Sequence, residues 1–142
     1  MAPKLKLRKT WIASVAICLT LLVAAVSSAA RQTGNGDAKK LTNPVKATPE
    51  SVAAGQQLYQ KFCSFCHNAD GKGNGPMAPK GTNPSDLTDS KWAYGATDGE
   101  IFTSIRNGIG PKFDMQSYKD RIPERDTWNV VNYLRSLSST KK

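Results

Sequence analysis

The sequence predicts an all-α domain: three main helices joined by two long loops. Three observations carry this. Three segments repeat apolar residues at helical spacing behind recognisable start signals. No segment alternates apolar and polar residues as a half-buried strand does. The stretches between the helices are dense in glycine and proline.

The first helix is announced by Thr48, a cap hydroxyl, followed by Pro49 at the first helical position and Glu50 in the first turn. Val52, Leu58, Tyr59 and Phe62 then recur on one side with Gly55, and the helix is expected to run into Cys63. Residues 68–86 read as loop, and Leu87 to Trp92 as one short turn. Thr97 and Glu100 fit a capping box. Ile101, Phe102 and Ile105 give that second helix an apolar face before Gly108 ends it. Gly108 to Ile122 is loop again. Pro123 opens the last helix, with Glu124 and Asp126 placed to favour its dipole and Trp128, Val130, Val131, Leu134 and Leu137 as a broad buried stripe beside Tyr133. Loops this long in a small domain normally count against an assignment. A bound group that supplies apolar surface for them to wrap removes the objection.

Four stretches are expected along the 142 residues. Residues 1–30 read as an export segment: a basic head (Lys4, Lys6, Arg8, Lys9), an apolar run from Trp11 to Val26, then small residues to Ala30. Cleavage near Ala29 or Ala30 and retention as a membrane anchor both stay open, because residues 11–30 are long enough to span a bilayer. Cys18, between Ile17 and Leu19, lacks the small neighbours of a lipid-attachment site. Residues 31–47 read as a flexible linker with almost nothing to bury. The folded domain is then 48–138, followed by a basic tail, 139–142. The whole chain is +9. Without the four basic residues of the head, 16 basic and 11 acidic residues remain, a net +5. Neither a basic stripe nor a recognition motif for nucleic acid is present. The surplus serves solubility or steers the domain toward an acidic docking patch.

Past the export segment the chain has two cysteines, Cys63 and Cys66, and one histidine, His67. Together they form Cys-Ser-Phe-Cys-His, the C-x-x-C-H pattern of haem c attachment. At the end of a helix, two cysteines three apart can each form a thioether to a haem vinyl group, and the next residue is carried under the iron. A structural zinc site wants four ligands and finds three. A thioredoxin-like pair wants a βαβ context. The absence of a second histidine excludes bis-histidine ligation. Met77, ten residues past His67, is expected at the pocket edge or exposed, whereas Met115 has enough intervening chain to reach the opposite face of the haem, so the expected pair is His67 and Met115. Asp70, Asp86, Asp89 and Asp98 read as turn and cap residues, and Gly71–Gly75 lacks the lysine and hydroxyl of a P-loop.

These residues carry a resemblance. From Thr48 to about Ser138 the chain resembles the small class I monohaem c-type cytochromes. Besides Cys63, Cys66 and His67, Gly55 and Tyr59 resemble the glycine and aromatic of that family's first helix, and Val130 and Tyr133 their partners on its last. Pro76 resembles the loop proline whose carbonyl accepts a hydrogen bond from the proximal histidine, and Met115 resembles the axial methionine, although no proline follows it. The resemblance implies a cytochrome c-like fold around one covalent haem c, with no catalytic residue. It implies a single-electron carrier, expected as a monomer in the periplasm or on the outer face of the cytoplasmic membrane, working between redox proteins. An electron-entry subunit of a larger dehydrogenase or oxidase is the alternative, as is a haem enzyme or sensor with an open sixth position.

Overall fold

A computed structural model describes residues 33–89, 91–110 and 115–139. The expected export segment, residues 1–30, and the tail from residue 140 lie outside the described residues. The chain divides into two units between Asp37 and Ala38. A six-residue helix, α1 (Thr33–Ala38), covers the described end of the first. The second unit holds α2 (Pro49–Phe62), the single turn α3 (Ser64–His67), α4 (Asp98–Asn107) and α5 (Glu124–Ser139). Among the described residues there is no strand, only an isolated antiparallel bridge between Ile109 and Met115. No described helix is long and apolar enough to cross a membrane.

The helix starts follow the sequence closely. The Thr48 hydroxyl accepts the Ser51 amide at 3.3 Å. The Thr97 hydroxyl accepts the Glu100 amide while the Glu100 carboxylate accepts the Thr97 amide at 3.0 Å, completing the capping box. That amide, ahead of the burial that opposes it, holds the Glu100 carboxyl below its ordinary value. Gly108 stops α4 with φ at 77°. As expected, α2 runs into Cys63, which caps it with helical backbone before the chain turns again as α3. The four aspartates work locally. Asp70, Asp86 and Asp89 accept backbone amides two residues ahead, and Asp98 pairs with Arg135 at 2.7 Å.

The core is one cluster in which α2 and α4 both pack on α5. Phe102 stacks on Trp128 at 3.9 Å between ring centres. Tyr59, Val130 and Val131 are wholly buried. The closest approach is at Gly55, where an added Cβ would lie 2.0 Å from the Asn129 carbonyl oxygen and 2.9 Å from the Tyr133 Cβ. Tyr133, expected as a crossing partner, is one; the other contact is the Asn129 main chain. Above this point Tyr59 meets Tyr133, with ring centres 5.2 Å apart.

The order of the chain begins earlier than Thr48. Asn43 donates to the Asn132 side chain at 2.8 Å, Asn132 donates to Ser51 at 2.8 Å and to the Val45 carbonyl at 3.1 Å, and Ser51 donates to Asn129 at 2.8 Å. The second half of the expected 31–47 linker is therefore tied to α2 and α5. The reason is polar: amide groups satisfy one another and the backbone in a segment with little apolar surface to bury.

Gly55→Ala is expected to destabilise the domain by about 3 kcal/mol, because the new methyl group must push the two helix backbones apart rather than shift a flexible side chain. Thermal denaturation should show the midpoint falling by roughly 10 °C or more.

Candidate haem site

The attachment turn is placed by α2. The Cys63 amide donates to the Tyr59 carbonyl at 2.8 Å, and the amides of Cys66 and His67 both donate to the Cys63 carbonyl, at 3.1 and 2.9 Å. This brings Cys63, Cys66 and His67 onto one wall of a cavity of about 350 Å³. The following loop closes on the turn from outside. Gly73, Gly75 and Met77 donate their amides to the carbonyls of His67, Cys66 and Phe65 at 2.8–2.9 Å. Only glycine fits at residue 75, where a Cβ would sit 2.3 Å from the Phe65 oxygen.

Met115 lines the same cavity. Its backbone is held by Ile109, whose amide donates to the Met115 carbonyl at 2.8 Å. Two residues on, Ser117 donates to the Arg106 carbonyl at 2.6 Å, and the Tyr118 amide donates to the Ile105 carbonyl at 3.1 Å. The Tyr118 hydroxyl donates to the Phe62 carbonyl at 3.0 Å, joining the methionine segment to the end of α2 beside Cys63. An adjoining hollow of about 70 Å³ shares His67, Ser85, Tyr94, Ile109 and Met115 in its lining. A larger open cleft of about 880 Å³ lies at the N-terminal ends of α2 and α5. It has no thiol, imidazole or thioether in its lining and is not part of the site.

The histidine partner corrects the sequence reading. His67 Nδ1 lies 3.1 Å from the carbonyl oxygen of Ser85. Pro76 is exposed and lines neither hollow of the site, because the glycine-rich loop folds back over the outer side of the turn. With Nδ1–H donating to Ser85, the Nε2 lone pair is left available as a ligand. Burial pushes the His67 pKa below its ordinary value against the opposing pull of this bond, which favours the neutral imidazole a metal needs. Met77 is 66% exposed and lines neither hollow. Ser85 carried no sequence signal, since its contribution is a main-chain oxygen. Trp92, Tyr94 and Tyr118 also line the space. Their signal was an aromatic residue standing in a loop with no helical face to serve.

These residues fit a covalent haem. Burial, then the neighbouring Cys66, push the Cys63 thiol up to about 12. An environment that penalises a thiolate costs a thioether nothing, because a thioether carries no charge to desolvate. Cys63 and Cys66 are not joined to each other.

Residues 50–134 match the family model described as cytochrome C oxidase, cbb3-type, subunit III. The chain belongs to this family of c-type cytochrome domains. Its cofactor is haem c, covalently attached, with Cys63 and Cys66 positioned as the attachment pair. The cytochrome domain is 33% identical over 104 residues to the cbb3-type cytochrome c oxidase subunit CcoP of Rubrivivax gelatinosus, covering 71% of this chain and 32% of that protein. It is 44% identical over 98 residues to the quinohemoprotein alcohol dehydrogenase ADH IIB of Pseudomonas putida, covering 69% of this chain and 13% of that protein. Cytochrome c6 of Gracilaria tenuistipitata var. liui is 31% identical over 68% of this chain and 83% of its own length. The chain spans about a third of the length of the oxidase subunits it matches. Among solved structures, a chain of the Kuenenia stuttgartiensis reducing HAO-like protein complex superposes with a TM-score of 0.59 at 26% identity, over 66% of this chain and 46% of that one. The fold is the all-α cytochrome c-like fold, and the domain acts in electron transfer.

Tyr118→Phe is expected to cost about 1 kcal/mol by removing the bond to Phe62. The loss should be local: amide hydrogen exchange at residues 115–118 should accelerate by roughly fivefold while the amides of α2 stay protected.

Proposed function

We propose that this domain is the electron-entry cytochrome of a larger exported oxidoreductase, with His67 and Met115 as the axial ligands of its haem. The observation that carries the ligation is that the histidine, the methionine and both attachment cysteines line one cavity. The relatives support the subunit role over the freely diffusing carrier. Several are named as oxidase subunits and one as a dehydrogenase, each much longer than this chain. The basic head and apolar run of residues 1–30 support an exported position for the domain.

Haem c, when bound, supplies a one-electron iron couple. The residues set its conditions. Ser85 fixes the tautomer and plane of the His67 ring. A Met115 thioether favours the ferrous state relative to a second imidazole, which raises the potential. The ties of Ser117 and Tyr118 to α4 hold Met115 in place, so the site has little to rearrange when an electron arrives or leaves. The apolar part of the cavity wall would disfavour the extra ferric charge.

Met115→Ala should retain covalent haem, lower the potential, and let carbon monoxide bind the ferrous protein. Met77→Ala should behave as wild type in all three. Ready carbon monoxide binding by wild type would instead support a sensor or enzyme with an open position. The role is read from native electrophoresis of mildly solubilised host cells stained for haem, with the chain tagged. It should migrate with an oxidase or dehydrogenase activity, and recovery solely as a free small protein would restore the shuttle.

A further inference from the structure

Two cations lie on the rings that wall the haem cavity. Phe62 and Tyr118 both line it, with their ring centres 6.2 Å apart in an edge-on arrangement. The Lys61 ammonium sits 5.0 Å from the centre of the Phe62 ring. The Arg121 guanidinium sits 5.2 Å from the Phe62 ring and 5.3 Å from the Tyr118 ring. Both cationic residues are exposed, and neither pairs with a carboxylate among the described residues. Lys119 adds a further exposed positive charge nearby in sequence, and Asp120 offsets one.

A solvated lysine or arginine explores many rotamers, and a partner that binds it must stop that motion. Here the aromatic rings already restrict Lys61 and Arg121. The same two rings line the cavity. One patch therefore combines pre-ordered positive charge with aromatic residues that reach the haem site, which suits a brief electron-transfer encounter.

We propose that Lys61 and Arg121 form the docking point for an acidic face of the redox partner, and that the electron crosses through the Phe62–Tyr118 wall. The proposal rests on the electron-transfer reading above and adds where the partner sits and which charge it carries. Complementary charge at this point speeds encounter more than it tightens the complex.

The test uses the haem-loaded full chain and two one-electron probes. With hexacyanoferrate(III), one electron leaves the ferrous domain and the probe becomes hexacyanoferrate(II). With hexaammineruthenium(II), one electron enters the ferric domain and the probe becomes hexaammineruthenium(III). No bond or proton changes in either exchange. The double variant Lys61→Glu with Arg121→Glu is compared with Lys46→Glu plus Arg125→Glu, which makes the same net change at the remote cleft lined by Lys46 and Arg125. At low ionic strength the first variant should react about tenfold more slowly with the anion and severalfold faster with the cation, and salt should abolish both effects. The remote variant should shift either rate less than about twofold. Elution from immobilised poly-L-glutamate gives a readout independent of the haem: the first variant should leave at lower salt than the remote one. Should the double variant fail to accumulate, Lys61→Gln with Arg121→Gln is read in the same way with smaller shifts. Equal effects from both double variants would reduce the patch to overall charge and overturn the proposal. So would wild-type binding to phosphatidylglycerol vesicles that only the Lys61/Arg121 variant loses, since the face would then belong to a lipid surface. If wild type exchanges electrons with neither probe, the electron-transfer reading fails first.

Discussion

Two backbones touch where α2 crosses α5, and most of the site follows from that contact. A Cβ at residue 55 would fall 2.0 Å from the Asn129 oxygen, so the two backbones approach too closely for any side chain there. That distance lets Tyr59 lie against Tyr133 one turn later, and Cys63 follows one turn after Tyr59. The attachment turn is thus positioned by a void: the missing side chain at residue 55 sets the height and angle at which Cys63, Cys66 and His67 enter the cavity. A bulkier residue would tilt the whole end of α2 away from Met115.

From that turn outward the protein builds with main chain more than with side chains. The carbonyls of Phe65, Cys66 and His67 are taken up by the amides of residues 77, 75 and 73. The histidine ring is oriented by a carbonyl, and the methionine segment is hung on Ile109 through a carbonyl. This economy suits a small domain. Its loops bury only a few apolar groups, Leu87, Tyr118 and Ile122 among them, and are otherwise held by the polar atoms that every residue owns.

The same economy explains what the sequence displays and what it conceals. The caps at Thr48 and Thr97, the helix stop at Gly108 and the Cys-Ser-Phe-Cys-His turn are local, and each rests on side chains a few residues apart, so all were legible. Met115 was preferred to Met77 on chain distance, since only Met115 has enough intervening chain to reach across the site, and it does share a cavity with His67. Ser85 was not legible, since any residue can offer its carbonyl, and the role was expected of Pro76 from the family resemblance alone. Asn43 was hidden for another reason. A mostly polar stretch whose few apolar residues, Ala38, Leu41 and Val45, follow no helical or strand period looks like a tether, and the amide ladder joining it to Ser51, Asn129 and Asn132 has no periodicity to betray it.

Met115 and His67 are held by different parts of the chain. His67 closes α3, the turn that follows α2, whereas Met115 is held by α4 and the segment that follows it. Given the proposed ligation, a common centre joining them closes a loop of about 48 residues, as a covalent crosslink would. Folding and redox state are then one thermodynamic cycle. Any preference of the closed loop for the ferrous form is at once a preference of the ferrous form for the folded chain. The difference in unfolding free energy between the two oxidation states must equal the difference in reduction potential between the folded and unfolded protein. A partner that strains the Met115 segment would therefore shift the potential in the same act as it loosens the fold.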